Sequence, residues 1–256
     1  MPRLVIDGKT VVAKEGTFLL QAARDAGVEI PTLCEHPAVE PYGGCRLCLV
    51  DVTRPEWDGW SKMVVSCLFP VEDGIIVSTR SERVMETRKV VLDLLLARCP
   101  ETPLVQELAA AHGIDRTSYV ANPEPTDCIL CGLCTRICDR LGTSAISSAN
   151  RGVGREIAPP FQEPPPDCIG CLACAEICPT GFIRYESSSM RRVIWNKEFR
   201  MLRCPTCGRA HVTEDQARYY DGRNGVPARY FQPCDACKRR EQAAIAVSLM
   251  GTPEAR

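Results

Sequence analysis

Cys128-Ile129-Leu130-Cys131-Gly132-Leu133-Cys134-Thr135-Arg136-Ile137-Cys138 recurs further along the chain as Cys168-Ile169-Gly170-Cys171-Leu172-Ala173-Cys174-Ala175-Glu176-Ile177-Cys178. Each copy reads C-x2-C-x2-C-x3-C. Three cysteines this close can wrap three corners of one iron–sulfur cube. The fourth, at the start of the following helix, points away and reaches the other cube. The spacing therefore predicts two [4Fe–4S] clusters with exchanged fourth ligands. Cluster A takes Cys128, Cys131, Cys134 and Cys178; cluster B takes Cys168, Cys171, Cys174 and Cys138. Gly132, Gly170 and Ala173 keep the loops slim, so that backbone N–H groups can approach the sulfurs and tune potential. Zinc or plain structural thiols are the alternative, and eight cysteines at duplicated spacing weigh against it.

The repeat resembles the bacterial two-cluster ferredoxin. The second copy keeps the following proline, Pro179, whereas the first carries Asp139, a departure that removes no ligand. Between the copies, Pro159-Pro160 and Pro164-Pro165-Pro166 mark an irregular insertion longer than a minimal ferredoxin needs. It is expected to cover the clusters or to form a partner surface.

Towards the N-terminus stand Cys34-Glu35-His36-Pro37, Tyr42-Gly43-Gly44-Cys45-Arg46-Leu47-Cys48 and Ser66-Cys67. Residues 1–98 resemble the [2Fe–2S] domain that begins the large iron–sulfur subunit of respiratory complex I. The same module begins the diaphorase iron–sulfur subunit of NAD-linked hydrogenases and many [FeFe] hydrogenases. The resemblance implies a β-grasp fold and a two-iron site on Cys34, Cys45, Cys48 and Cys67; buried structural cysteines are the alternative. Gly43 and Gly44 permit a tight loop, and His36 is expected to support that loop rather than to bind iron.

Local patterns fit this reading. Asp7-Gly8-Lys9 signals a hairpin between Leu4-Val5-Ile6 and Val11-Val12-Ala13. Thr17 is expected to cap a helix from Phe18 to Ala26 that Gly27 ends, and Cys45–Thr53 and Gly74–Ser78 read as strands. Thr79-Arg80-Ser81-Glu82 reads as a capping box for a helix with a Val84, Val91, Leu95 stripe, and another helix runs from Pro103 to Gly113. The resembled family continues with a further cluster site built from one histidine and three closely spaced cysteines. Here that stretch offers only Cys99 and His112, so no cluster is expected, Cys99 reads as a core thiol and His112 as a surface or helix-end residue.

Beyond the repeat, Cys204-Pro205-Thr206-Cys207 and Cys234-Asp235-Ala236-Cys237 form two knuckles. Four thiolates with no open position suit structural zinc; a fourth iron–sulfur cluster is the rival and unliganded thiols the third reading. The intervening gap implies an extra hairpin, His211 is expected at the surface, and Ala243–Met250 as a closing helix.

The totals narrow the class. Seventeen cysteines in 256 residues, an odd number, fit a disulfide framework poorly. The first residues lack the apolar stretch of a signal peptide, so a reducing, cytoplasmic setting is expected. Val90–Ala97, interrupted by Asp93, is too short to span a bilayer. Net charge is −1, unevenly spread: residues 181–256 carry 14 Lys/Arg against 8 Asp/Glu, leaving −7 for residues 1–180. A basic tail can dock on an acidic partner or simply be solvated. No dinucleotide fingerprint, P-loop or flavin motif is present, so the chain is expected to carry electrons without substrate chemistry of its own.

The expected architecture is α+β. It comprises a β-grasp [2Fe–2S] domain (1–80), a helical connector (81–120), a two-cluster ferredoxin-like domain (121–199) and a zinc-ribbon-like tail with closing helix (200–256). The expected function is electron relay within a hetero-oligomer. The resemblance implies a flavin- and NAD(P)-binding subunit on one side. On the other it implies a catalytic subunit, such as a hydrogenase, formate dehydrogenase or other reductase. A free soluble ferredoxin-type carrier is the alternative, and a nucleic-acid-binding zinc-ribbon protein a weaker one that the cysteine repeat opposes.

Overall fold

Asp7 and Gly8 both take positive φ (46° and 81°), reversing the chain between β1 (Arg3–Ile6) and β2 (Lys9–Val12) in the computed structural model. Two successive left-handed residues give the turn whose twist matches paired strands. The structure describes residues 1–124, 126–223, 225–227 and 229–250. β1 pairs in parallel with β5 (Ile76–Ser78), which pairs antiparallel with β3 (Leu49–Thr53), and β3 pairs with β4 (Ser61–Val65). The five-stranded order is β2-β1-β5-β3-β4. One sheet face buries Leu4, Ile6, Val50, Val52 and Val77 against α1 (Leu19–Asp25).

Several local expectations shift. Helix α1 starts at Leu19, and Thr17 does not cap it. Its first free amides, Leu19 N–H and Leu20 N–H, instead donate to the carbonyls of Phe69 (2.8 Å) and Ser66 (3.0 Å), so no capping hydroxyl is needed. Cys45–Cys48 is loop, and the strand opens only at Leu49. Strand β4 lies at a sheet edge and is half-buried along its length, which erases the alternation that announces a strand.

Helix α2 (Glu82–Arg98) is capped by Ser81, whose hydroxyl accepts from Val84 N–H, while Thr79 binds the Asp7 carboxylate. Its buried stripe is Val84, Arg88, Leu92 and Leu96, not Val84, Val91 and Leu95. An arginine in that stripe hides it from a hydrophobic reading. Arg88 belongs inside because its Nε donates to Leu47 O (2.9 Å) and a terminal nitrogen to Leu49 O (2.8 Å). Helix α3 (Pro103–Ala111) packs on α2, and both cover Leu33, Leu47 and Ile129.

The repeat places α4 (Leu133–Arg140) and α5 (Ala173–Glu176) side by side. A hairpin of β6 (Ser147–Ala149) and β7 (Glu156–Ala158) occupies the insertion. Strands β8 (Tyr185–Ser187), β9 (Arg191–Ile194), β10 (Lys197–Arg203) and β11 (Ala210–Thr213) form one antiparallel sheet. The expected boundary at 199/200 falls inside β10, so this sheet unites ferredoxin-like part and tail. Among the described residues the gap between knuckles holds β11, which pairs back on β10 around the first knuckle, and helix α6 (Glu214–Tyr220) in place of a separate hairpin. Helix α7 (Asp235–Met250) starts within the second knuckle and leaves Arg239–Met250 exposed, so among the described residues its second half packs on nothing. Among the described residues no helix is long and apolar enough to cross a membrane.

Candidate metal centres

Gly43 takes φ 67°, and a Cβ there would lie 2.5 Å from the Leu68 side chain; one at Gly44 would lie 2.6 Å from the Tyr42 ring. The positive φ of Gly43 suits glycine, and a side chain at either position would displace the exposed Leu68 or Tyr42 side chain. Cys34, Cys48 and Cys67 are buried and Cys45 is half-buried. They fall into two pairs. Cys45 N–H donates to Cys34 Sγ (3.3 Å), and Cys48 Sγ lies 3.5 Å from Cys67 Sγ. Leu33 N–H adds a donor to Cys45 Sγ (3.4 Å). Within each pair the hydrogen bond from its partner thiol pulls one cysteine down, Cys45 to about 6 and Cys48 to about 7. The same bonds hold Cys34 and Cys67 up, with burial adding to the effect. Two pairs of adjoining thiols, one acidic in each, fit a two-iron group with two sulfur ligands per iron.

The cysteine loops of the repeat share one backbone. Leu130 (φ 54°) corresponds to Gly170 (φ 67°), and Gly132 (φ 71°) to Leu172 (φ 67°). Glycine and leucine have traded places while the left-handed conformation stays, although it costs a leucine about 1–2 kcal/mol. The conformation has a use. Burial raises Cys128 and Cys131, and the backbone N–H groups of Leu130 and Leu133 offset it in part, as those of Gly170 and Ala173 do for Cys168 and Cys171.

The fourth cysteine of each copy stands near the first three of the other. The charge of Cys178 acts on Cys128, Cys131 and Cys134, and that of Cys138 acts on Cys168, Cys171 and Cys174. Cys138, Cys168, Cys171 and Cys174 line one cavity with Ile146, Ile194 and Trp195. Burial pushes Cys131 up to about 11 and Cys134 and Cys174 up to about 12. Buried thiolates are costly unless a cation meets them, so both sets fit a cationic iron–sulfur group. Cys138 Sγ also receives Ala145 N–H (3.2 Å). The Trp195 indole N–H, otherwise without a partner, acts on Cys174. Sequence reasoning missed Leu130, Leu172 and Trp195: nothing in a leucine marks positive φ, and Trp195 arrives from β-structure outside the motif.

The tail group is more compact. One sulfur from each of Cys204, Cys207, Cys234 and Cys237 lies within 4.8 Å of the others, and Cys207 and Cys234 Sγ stand 3.7 Å apart. Tetrahedral zinc bonds of about 2.3 Å put sulfurs about 3.8 Å apart. Each thiolate of a four-iron cube binds a different corner, which sets the sulfurs farther apart. The donor set therefore fits a single ion. Backbone N–H of Cys234 leads in holding Cys204 down to about 5, suited to a thiolate ligand.

The remaining candidates lie apart from these sets. Cys99 is fully buried at the end of α2, and burial pushes its thiol up to about 11. His112 ends α3 with Nδ1 on Leu108 O (2.9 Å). His36 Nδ1 accepts from Ala38 N–H (3.1 Å), bracing the Cys34 loop. His211 is half-buried rather than on the surface, its Nε2 on Phe231 O (2.6 Å). One apolar cluster buries Leu33 and Leu47 of the first site with Ile129 of the second, and the half-buried Cys45 and Cys131 pack against it. The fold itself brings the two together.

A family described as 2Fe-2S iron-sulfur cluster binding domain matches residues 3–82, and one described as 4Fe-4S binding domain matches residues 165–184. The chain is 30% identical over 249 residues to the NADPH-Fe(3+) oxidoreductase subunit alpha of Geobacter sulfurreducens, covering 88% of this chain and 28% of that one. It is 32% identical over 212 residues to the NADP-reducing hydrogenase subunit HndD of Solidesulfovibrio fructosivorans, covering 71% and 35%. The mitochondrial NADH-ubiquinone oxidoreductase 78 kDa subunit of Candida albicans is 28% identical over 218 residues, covering 75% and 29%. Among solved structures, NAD+-reducing [NiFe]-hydrogenase in the H2-reduced state superposes with a TM-score of 0.54 at 28% identity, over 62% of this chain and 74% of that one. The chain thus resembles iron–sulfur subunits of NAD(P)-linked oxidoreductase complexes, and it spans about a third or less of those curated relatives.

Proposed function

We propose that this chain relays electrons between a flavin- and NAD(P)-binding subunit and a catalytic oxidoreductase subunit, within a hetero-oligomer. In this reading residues 1–80 are a β-grasp unit holding [2Fe–2S] on Cys34, Cys45, Cys48 and Cys67. Cluster A uses Cys128, Cys131, Cys134 and Cys178, cluster B uses Cys168, Cys171, Cys174 and Cys138, and zinc sits on Cys204, Cys207, Cys234 and Cys237. Bound iron–sulfur groups supply one-electron chemistry. The chain's own residues hold them, exclude water and aim N–H dipoles at sulfur. The observation that carries the reading is that Cys45 and Cys131, both half-buried, pack against one apolar cluster. It supports a continuous route from the two-iron site into the repeat, in a chain without the intervening histidine-and-cysteine cluster motif.

Metal analysis of anaerobically purified protein tests it. About 10 irons and one zinc per chain, with EPR signals from one two-iron and two four-iron centres after reduction, are expected. About 14 irons and no zinc would put a fourth cluster in the tail. Isolation from its native source as a lone monomer, without a flavoprotein, would overturn the relay in favour of a free carrier.

A further inference from the structure

The cluster loops turn several carbonyl groups outward, and buried or half-buried cations take them. Arg88 holds Leu47 and Leu49 O of the two-iron loop, and Arg98 Nε holds Cys128 O (2.8 Å). Arg192 holds Gly170 O (2.7 Å), and Lys197 holds Cys168 O (2.8 Å). Each serves one site. Arg136, on α4 between Cys134 and Cys138, serves two. Its Nε donates to Gly132 O (3.2 Å), inside the cluster A loop. Its terminal nitrogens donate to Cys34 O and Glu40 O (both 2.6 Å), inside the two-iron loop. The guanidinium carbon lies 5.1 Å from the centre of the Tyr42 ring.

We propose that Arg136 is a positioning residue that locks the two-iron site against cluster A and holds a fixed positive charge between them, favouring the reduced state of both. The inference rests on the ligand assignments proposed above. Lys197 Nζ takes three carbonyls of one stretch, those of Pro165, Pro166 and Cys168, from a single nitrogen. Three separate nitrogens of Arg136 instead reach carbonyls on two different loops, which a planar guanidinium fork spans and a point-charge ammonium matches less well. Reduction adds one negative charge to a site, and a half-buried cation nearby stabilises that form more than one in open water would. Electron passage depends on separation, which the fork fixes. Potential depends on charge, which a lysine would keep.

Substitution separates the two contributions. The full chain, purified anaerobically as wild type, R136K and R136M, is titrated with dithionite and followed by EPR. In R136M the reduced-to-oxidised ratio of the two-iron site at a given potential is expected to fall about tenfold, equivalent to about 59 mV for one electron. In R136K the ratio stays within about threefold of wild type, while the magnetic interaction between the reduced two-iron site and cluster A weakens in both variants. R136M with full iron, an unmoved titration and unchanged interaction would overturn the proposal, as would equal shifts in both variants. Should R136M not retain iron, R136K decides. Full iron with the wild-type titration supports the charge role; lost iron or a tenfold shift overturns it. A wild-type chain lacking the two-iron signal would remove the underlying assignment instead.

Discussion

Replacing Gly170 by alanine tests the idea that the second cysteine loop is pinned by the sheet behind it. Gly170 has φ 67°, and an added Cβ would lie 2.8 Å from Phe199 Cδ2 and 3.0 Å from Thr213 Cγ2. Neither neighbour can give way. Phe199 is 1% exposed, and Thr213, fully buried, donates its hydroxyl to Ile169 O (2.5 Å). The left-handed conformation costs a residue with a Cβ about 1–2 kcal/mol, and overpacking a filled core about 1–3 kcal/mol more. Gly132 is the internal control, since it has φ 71° but its nearest Cβ neighbour is Thr135 Oγ1 at 3.8 Å. G132A therefore carries only the backbone cost, about 1–2 kcal/mol, whereas G170A should lose about 2–5 kcal/mol. The assay is anaerobic urea unfolding of iron-loaded protein, with iron retention read in parallel. Equal losses in the two variants would refute the packing argument. A smaller loss in G170A would refute the placement of β10 and β11 against the loop.

Three further outcomes follow from other parts of the fold. R88M strips the charged donor from the buried Leu47 and Leu49 carbonyls and should destabilise the N-terminal part by about 2–4 kcal/mol; a loss below about 1 kcal/mol in urea unfolding would show those carbonyls otherwise served. C99A should keep the full iron content and lose about 1 kcal/mol, because Cys99 is packed in the α2–α3 core; missing iron would make it a ligand. C234S should release the tail ion and raise proteolysis of residues 204–237, leaving the three iron–sulfur EPR signals in place; loss of a signal would make the tail group part of the redox system.

Most of the chemistry was legible in the sequence because it resides in residue type and spacing. The duplicated C-x2-C-x2-C-x3-C run fixes which three cysteines share a loop. The paired Cys-x-x-Cys knuckles announce a four-thiolate site, and Asp7-Gly8 announces its hairpin. These are local facts, set by a few bonds of backbone. Local reading failed where a distant segment satisfied a need that sequence logic assigned nearby. The amides opening α1 go to Phe69 and Ser66 rather than to Thr17, and β11 in the tail gap pairs back on β10 instead of forming a hairpin of its own.

What the tertiary structure alone decided is how the parts meet. Arg88 looks like a break in the α2 stripe and is instead its centre, because two carbonyls about forty residues away wait for it. Leu130 and Leu172 carry no mark of left-handed backbone, a conformation that only the folded cysteine loops impose. Arg136 is one more charge on a helix until the fold sets Cys34 and Glu40 against it. Cysteine spacing specifies centres through short-range geometry, whereas the distance and charge between centres come from side chains reaching across the fold. The sequence by itself therefore determined what the chain can hold, and the packing decided how its centres are joined.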